Sequence, residues 1–174
     1  MSGGSIIVLA ILAFVGITIF KGVRIVPQGY KWIVQRLGKY HTTLAPGLNF
    51  VIPYVDEVAY KVTTKDIVLD IPSQEVITRD NAVLLMNAVA YINLTTPEKA
   101  VYGIENYTWA IQNLVQTSLR SIVGEMDLDD ALSSRDHIKA KLKAAISDDI
   151  SDWGITLKTV EIQDIKPSHT MQAA

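Results

Sequence analysis

The chain has 174 residues, with 16 Lys and Arg against 18 Asp and Glu and a formal net charge of −2 at pH 7. That balance gives no electrostatic reason to expect a nucleic-acid partner. There is no cysteine, which excludes disulfide staples, thiolate catalysis, cysteine zinc sites and palmitoyl attachment.

The first predicted element is an uncharged apolar run over 6–20, and the first charged side chain is Lys21. As a helix, residues 3–20 would measure about 27 Å at ~1.5 Å per residue, close to the ~30 Å hydrocarbon layer, with Lys and Arg at one end reaching the headgroups. A core helix apolar on every face is the competing reading. A cleaved signal peptide would need basic residues before the run and a small-x-small site after it, and neither is present. The expectation is an uncleaved transmembrane anchor over 1–22, carried by Ile6, Ile7, Val8, Leu9, Ile11, Leu12, Phe14, Val15, Ile17, Ile19 and Phe20. Residues 21–40 hold Lys21, Arg24, Lys31, Arg36 and Lys39 and no acid. The positive-inside rule then predicts a single-pass protein with its amino terminus outside and the rest of the chain in the cytoplasm.

Residues 23–95 read as a β-rich module of six or seven strands, punctuated by Pro27-Gln28-Gly29, Ala45-Pro46-Gly47 and the hairpin turn Arg79-Asp80-Asn81-Ala82. The run 83–94 is almost wholly apolar and predicts a strand buried on both faces. Residues 96–167 form a smaller helix-rich module. Thr96-Pro97 is a helix start and Gly103 a stop. A helix follows over about 107–124, striped by Ile111, Leu114, Val115, Leu119, Ile122 and Val123. A short acidic turn covers 126–132. Ser133-x-x-Asp136 resembles a capping box and opens a helix to about Asp152, striped by Ile138, Leu142, Ala145, Ile146, Ile150 and Trp153. Residues 155–162 alternate as a closing strand that pairs most economically with the upstream sheet. Pro167 suits a first helical turn, so 168–174 is expected to begin a long helix.

A search for chemistry returns nothing specific. His41, His137 and His169 lack metal-ligand spacing, and no nucleophile elbow, P-loop or dinucleotide-binding fingerprint occurs. Glu125, Asp127, Asp129 and Asp130 lack the central glycine and terminal glutamate of an EF-hand loop. No cofactor or metal is expected.

Two surfaces stand out. Leu44, Pro46, Leu48, Phe50, Val51, Ile52, Pro53 and Tyr54 make a proline-bounded apolar segment shortly after the anchor. It reads either as core strands or as a hairpin that dips Leu48, Phe50, Val51 and Ile52 into the bilayer interface. On the last helix, Arg135, Lys139, Lys141 and Lys143 precede Asp148 and Asp149. A basic and an acidic end on one helix suit head-to-tail contact between copies, and these six residues are the expected oligomer contact.

Several segments carry a family resemblance. Val26-Pro27-Gln28-Gly29-Tyr30, Val34-Gln35-Arg36-Leu37-Gly38-Lys39-Tyr40 and Pro46-Gly47-Leu48-Asn49-Phe50-Val51-Ile52-Pro53 resemble the start of the SPFH domain. This is the band 7 or prohibitin-homology domain of stomatins, prohibitins, flotillins and the HflK/HflC proteins. Ser73-Gln74-Glu75-Val76-Ile77-Thr78-Arg79-Asp80-Asn81, the stretch 128–136, and Trp153-Gly154-Ile155 with 160–165 are similar to it as well. The likeness covers 23–167 in order and is greatest to the bacterial stomatin-like, QmcA-type group. It implies an α+β fold: a transmembrane helix (1–22), a β-rich SPFH subdomain (23–95), an α/β SPFH subdomain (96–167) and the start of a coiled coil (168–174) that this chain lacks. It further implies a non-catalytic scaffold, a homo-oligomeric ring or cage around a membrane microdomain, acting on membrane proteins or proteases, with an NfeD-type membrane protein or a membrane protease as partner. Lipid-anchored relatives use cysteines absent here, which leaves 6–20 as the anchor. A monomeric tethered adaptor and an unrecognised membrane-anchored Ser-Lys or carboxylate hydrolase remain alternative readings of the residues.

Overall fold

The apolar run folds as predicted into helix α1 (Gly3–Gly22), whose large side chains from Ile6 to Phe20 are all exposed. It is the one helix among the described residues that is long and apolar enough to cross a membrane. The computed structural model describes residues 2–168 and divides by contact into two units, Met1–Thr64 and Lys65–Ala174. His169 and all but Ser168 of the helix expected at 168–174 lie outside the described residues.

In the first unit β1 (Val23–Val26) pairs antiparallel with β4 (Gly47–Phe50). Separately, β2 (Tyr30–Arg36) lies between β3 (Lys39–Leu44) and β5 (Asp56–Thr63), antiparallel to both. The β2–β3 turn has Leu37 at φ 53° and Gly38 at φ 83°, the doubly left-handed turn whose twist matches paired strands. The polar stretch 39–44 is not legible as a strand; it forms because this tight turn folds it back onto β2. Val26, Val34, Leu44 and Val51 make a small core, with Trp32 and Val58 packed against it.

In the second unit β6 (Ile67–Ile77), β7 (Val83–Leu94) and β8 (Ile155–Pro167) form one antiparallel sheet with β7 central. No residue of β7 is exposed, as its composition predicts. Helices α2 (Pro97–Tyr102), α3 (Tyr107–Gly124), α4 (Leu128–Ser133) and α5 (Arg135–Ser151) connect β7 to β8. α3 buries Ile111, Val115, Leu119 and Val123, and α5 buries Ile138, Leu142, Ile146 and Ile150, each at four-residue spacing. Gln112 and Arg120, eight residues apart on α3, donate to the Asp70 carbonyl and the Gln74 side chain, which covers the bulged stretch of β6 around Pro72.

Four expectations change. The boundary predicted at 95/96 gives way to a division at Thr64/Lys65, because β8 pairs along the whole of β7, from Leu94↔Ile155 to Leu84↔Pro167. Pro167 ends β8 instead of opening a helix, and the Ser168 N–H donates to the Val83 carbonyl. The capping box does not form: the Ser133 hydroxyl donates to Asp129 O within α4, and Ser134 takes the N-cap position of α5 without a side-chain bond. Ala145 is exposed, off the buried stripe.

Candidate membrane interface

Chain chemistry fixes how α1 meets the strands that follow it. The last carbonyls of a helix lack intrahelical donors. Here Arg24 Nη1 donates to Lys21 O at 2.6 Å and to Val23 O at 3.0 Å, and the Val51 N–H donates to Gly22 O at 2.8 Å. Gly22 is required for this closure: a Cβ there would lie 2.6 Å from Val51 O and 2.8 Å from Phe50 Cζ. The Phe50 ring is thereby held against the last turn of α1.

Strand alternation then separates the apolar segment residue by residue. Leu48 and Phe50 point outward, 75% and 58% exposed, and Ile52 after the strand is also exposed. Ile25 stands opposite Leu48 in the β1–β4 register and is exposed too, giving an outward apolar pair. Val51 departs from the expectation. It is 4% exposed and packs with Val26, Val34 and Leu44, because the half-period that turns Phe50 out turns its neighbour in. The core reading thus holds for Val51 alone, while Leu48, Phe50 and Ile52 form an exposed surface ridge.

Asp56 ties the neighbouring loops together. Its carboxylate takes Arg36 Nε at 2.7 Å and Nη2 at 3.1 Å, and accepts the Ile52 N–H at 2.9 Å. The Asp56 N–H returns to Ile52 O, and the Leu37 N–H donates to Val55 O. The Arg36 guanidinium, offset partly by burial and aided by the Ile52 N–H, lowers the Asp56 pKa to about 2. Beside this link, Leu37 (φ 53°) and Tyr54 (φ 75°) hold left-handed backbone that large L-residues rarely adopt, and both side chains are exposed. Sequence reading missed Ile25, Leu37 and Asp56. An Ile in a four-residue strand has no visible face until its partner strand is known, although the Leu37-Gly38 turn pair was an available signal.

The expected oligomer contact divides as well. Lys139 Nζ lies 2.6 Å from Glu161 Oε1 of β8, and Arg135 Nη1 donates to Gln163 O. These two basic residues therefore serve their own chain. Lys141, Lys143, Asp148 and Asp149 are exposed and take part in no ion pair among the described residues. The acidic cluster also has an internal role: Arg79 bridges to Asp127, and the Leu128 N–H at the start of α4 donates to Asp80. Among the described residues, no three His, Cys, Asp or Glu gather as a metal site.

Comparison with known proteins is consistent with this architecture. An uncharacterized protein of Methanocaldococcus jannaschii is 39% identical over 168 residues, covering 97% of this chain and 83% of that one. An uncharacterized protein of Mycobacterium tuberculosis is 34% identical over 171 residues, 98% of this chain and 45% of its own. Stomatin-like protein 2, mitochondrial, of Homo sapiens is 39% identical over 140 residues, 80% of this chain and 39% of its own. The chain thus spans less than half the length of the mycobacterial and human relatives. Residues 24–174 match the SPFH domain / Band 7 family, and the chain belongs to that family.

Proposed function

We propose that this chain is the membrane-anchored SPFH part of a scaffold that assembles from copies of itself into a ring or cage, encloses a membrane microdomain and regulates membrane proteins or proteases, without catalysis of its own. In this reading 6–20 spans the inner (plasma) membrane, the amino terminus lies outside, and the SPFH domain faces the cytoplasm beside an NfeD-type or protease partner. The observation that carries it is the junction of α1 with an exposed apolar ridge. The helix ends at Gly22 against Phe50, and Leu48, Phe50 and Ile52 stand in the open immediately beyond it. Apolar side chains next to a basic flank suit the headgroup boundary.

The test has three arms. Proteinase added to intact cells should leave the domain whole and digest it in inverted vesicles; the opposite pattern overturns the orientation. Protein lacking residues 1–22 should still sediment with liposomes, and Phe50→Asp with Ile52→Asp should abolish that without changing circular dichroism. Loss of fold in this double variant would make the ridge core. The full-length protein in mild detergent should run as a very large particle, and a monomer would favour the tethered adaptor.

A further inference from the structure

An open cleft of about 740 Å³ lies at the end of α1, lined by Phe20, Lys21, Arg24, Ile25, Trp32 and Tyr54, with Asp56 at one side. Its walls divide by chemistry. Phe20 and Ile25 are exposed apolar surface, Phe20 at 82%. Lys21 and Arg24 are cationic, and neither joins an ion pair among the described residues. Arg24 Nη1 holds the helix-end carbonyls, which fixes where its guanidinium stands. Asp56 does not oppose an anion, because its carboxylate is taken by both Arg36 nitrogens and the Ile52 N–H. Trp32 and Tyr54 are amphipathic rings of the kind that sit at headgroup level. Tyr54 stands in this wall on a left-handed backbone, φ 75°.

Phe20 ends the uncharged run and Lys21 is the first charge of the chain, so the cleft opens where hydrocarbon gives way to headgroups. We infer that it seats a single anionic phospholipid, the phosphate between Lys21 and Arg24 and the glycerol and upper acyl chain along Phe20, Ile25 and Tyr54. The inference rests on the reading that 6–20 crosses a bilayer. A free phosphate offers the same anion to the two cations but covers none of the apolar wall, which favours the lipid.

The full chain, with Trp109→Phe and Trp153→Phe so that Trp32 alone fluoresces, is reconstituted into phosphatidylcholine vesicles containing phosphatidylglycerol, one lipid or the other brominated. Brominated phosphatidylglycerol should quench Trp32 severalfold more per mole than brominated phosphatidylcholine. Lys21→Gln with Arg24→Gln should remove that preference. Lys21→Gln alone, at a side chain that makes no hydrogen bond among the described residues, should weaken it. Lys31→Gln with Lys39→Gln takes away the same charge outside the cleft and should leave it intact. Equal quenching by both lipids overturns the site. Loss of preference in the Lys31/Lys39 variant shows only diffuse attraction to a basic segment, and displacement by inorganic phosphate shows a soluble-anion site; either overturns the lipid. Protein that fails to float with the vesicles overturns the anchor reading and the site together, whereas protein that floats without preference overturns the site alone.

Discussion

Residues 23–64 and 65–168 use apolar side chains in opposite ways. Of the twelve largest fully buried side chains, Ile33 alone lies in the first stretch, while Ile71, Leu84, Met86, Ile92 and seven others lie in the second. Exposed large apolar side chains are nine in the shorter stretch, Ile25 to Tyr60, and five in the longer, Val68 to Leu132. The second stretch satisfies itself: a central strand with no exposed residue, two helices striped at four-residue spacing and a covered edge. The first buries only Val26, Ile33, Val34, Leu44, Val51 and Val62, and carries an outward apolar ridge next to an apolar helix. A fold that leaves such surface uncovered is completed by something outside it, and the proposed completion is the bilayer.

The largest effect should separate the two ways of using an aliphatic side chain. Ile146→Ala removes a fully buried side chain of α5, the helix packed against β8 and α3, and should cost about 2–5 kcal/mol of unfolding free energy in a urea titration. Leu48→Ala removes an equally apolar side chain from the ridge and should cost within about 0.5 kcal/mol in the same assay in detergent. Comparable losses at both positions would mean that the ridge is core and that the contrast is false.

Gly22→Ala comes next. The added methyl meets a backbone oxygen and the Phe50 ring, and the backbone oxygen cannot yield without opening the bond from Val51. Overpacking of this kind costs about 1–3 kcal/mol. The loss should be confined to the first unit, read as faster amide exchange at Val51 with exchange in β7 unchanged. Slower or unchanged exchange at Val51 would break the link between anchor and ridge.

What the sequence made legible follows the same division. α1, the buried β7, the α3 stripe and the closing strand were readable because each is a long, periodic or uniform signal. The boundary between units was not, because the change from strand to helix signals at 95/96 is conspicuous in the sequence, whereas the division at Thr64/Lys65 falls between two strands and appears only once β6, β7 and β8 are seen in one sheet. The ridge was half readable. Composition marked Leu48 to Ile52 as apolar, but only pairing of β4 with β1 separates Leu48 and Phe50 from Val51 and brings Ile25 alongside. Asp56 gave no signal, since Arg36 meets it only once β2 and β5 are paired and the Ile52 N–H reaches it only through the local turn over 52–56.

Asp56 should show its effect through acid. Its folded pKa of about 2 lies below the ordinary 3.8, so its contribution is complete above pH 3.8 and is lost as pH falls toward 2. Asp56→Asn should lower the melting temperature modestly at neutral pH and remove that part of the acid-induced fall. Because the same carboxylate holds the Ile52 N–H, liposome binding by the ridge should weaken too. An unchanged acid limb in the variant would mean that Arg36 and Asp56 are not coupled in solution.

The smallest effect concerns α5, where a helix surface serves either its own chain or a neighbour. Lys139 and Glu161 are both substantially exposed, with side-chain exposures of 36% and 51%, so water screens the pair and Lys139→Gln should move the melting temperature barely at all. Titration by NMR is more sensitive than melting here. The Lys139 hydrogen bond holds the Glu161 carboxyl below its ordinary 4.5, so the pair contributes above that pH and fades as acid protonates Glu161. In Lys139→Gln the Glu161 titration should move upward, with the Thr159 hydroxyl still donating to the carboxylate, while the size of the detergent-extracted particle stays the same. Lys141→Glu with Lys143→Glu should do the reverse, shrinking the particle and leaving Glu161 untouched, with Asp148→Lys and Asp149→Lys partly restoring it. If Lys139→Gln shrinks the particle and leaves the Glu161 titration unmoved, the lysine serves the neighbour after all. The division of α5 into an internal and an external set of charges would then be wrong at its first member.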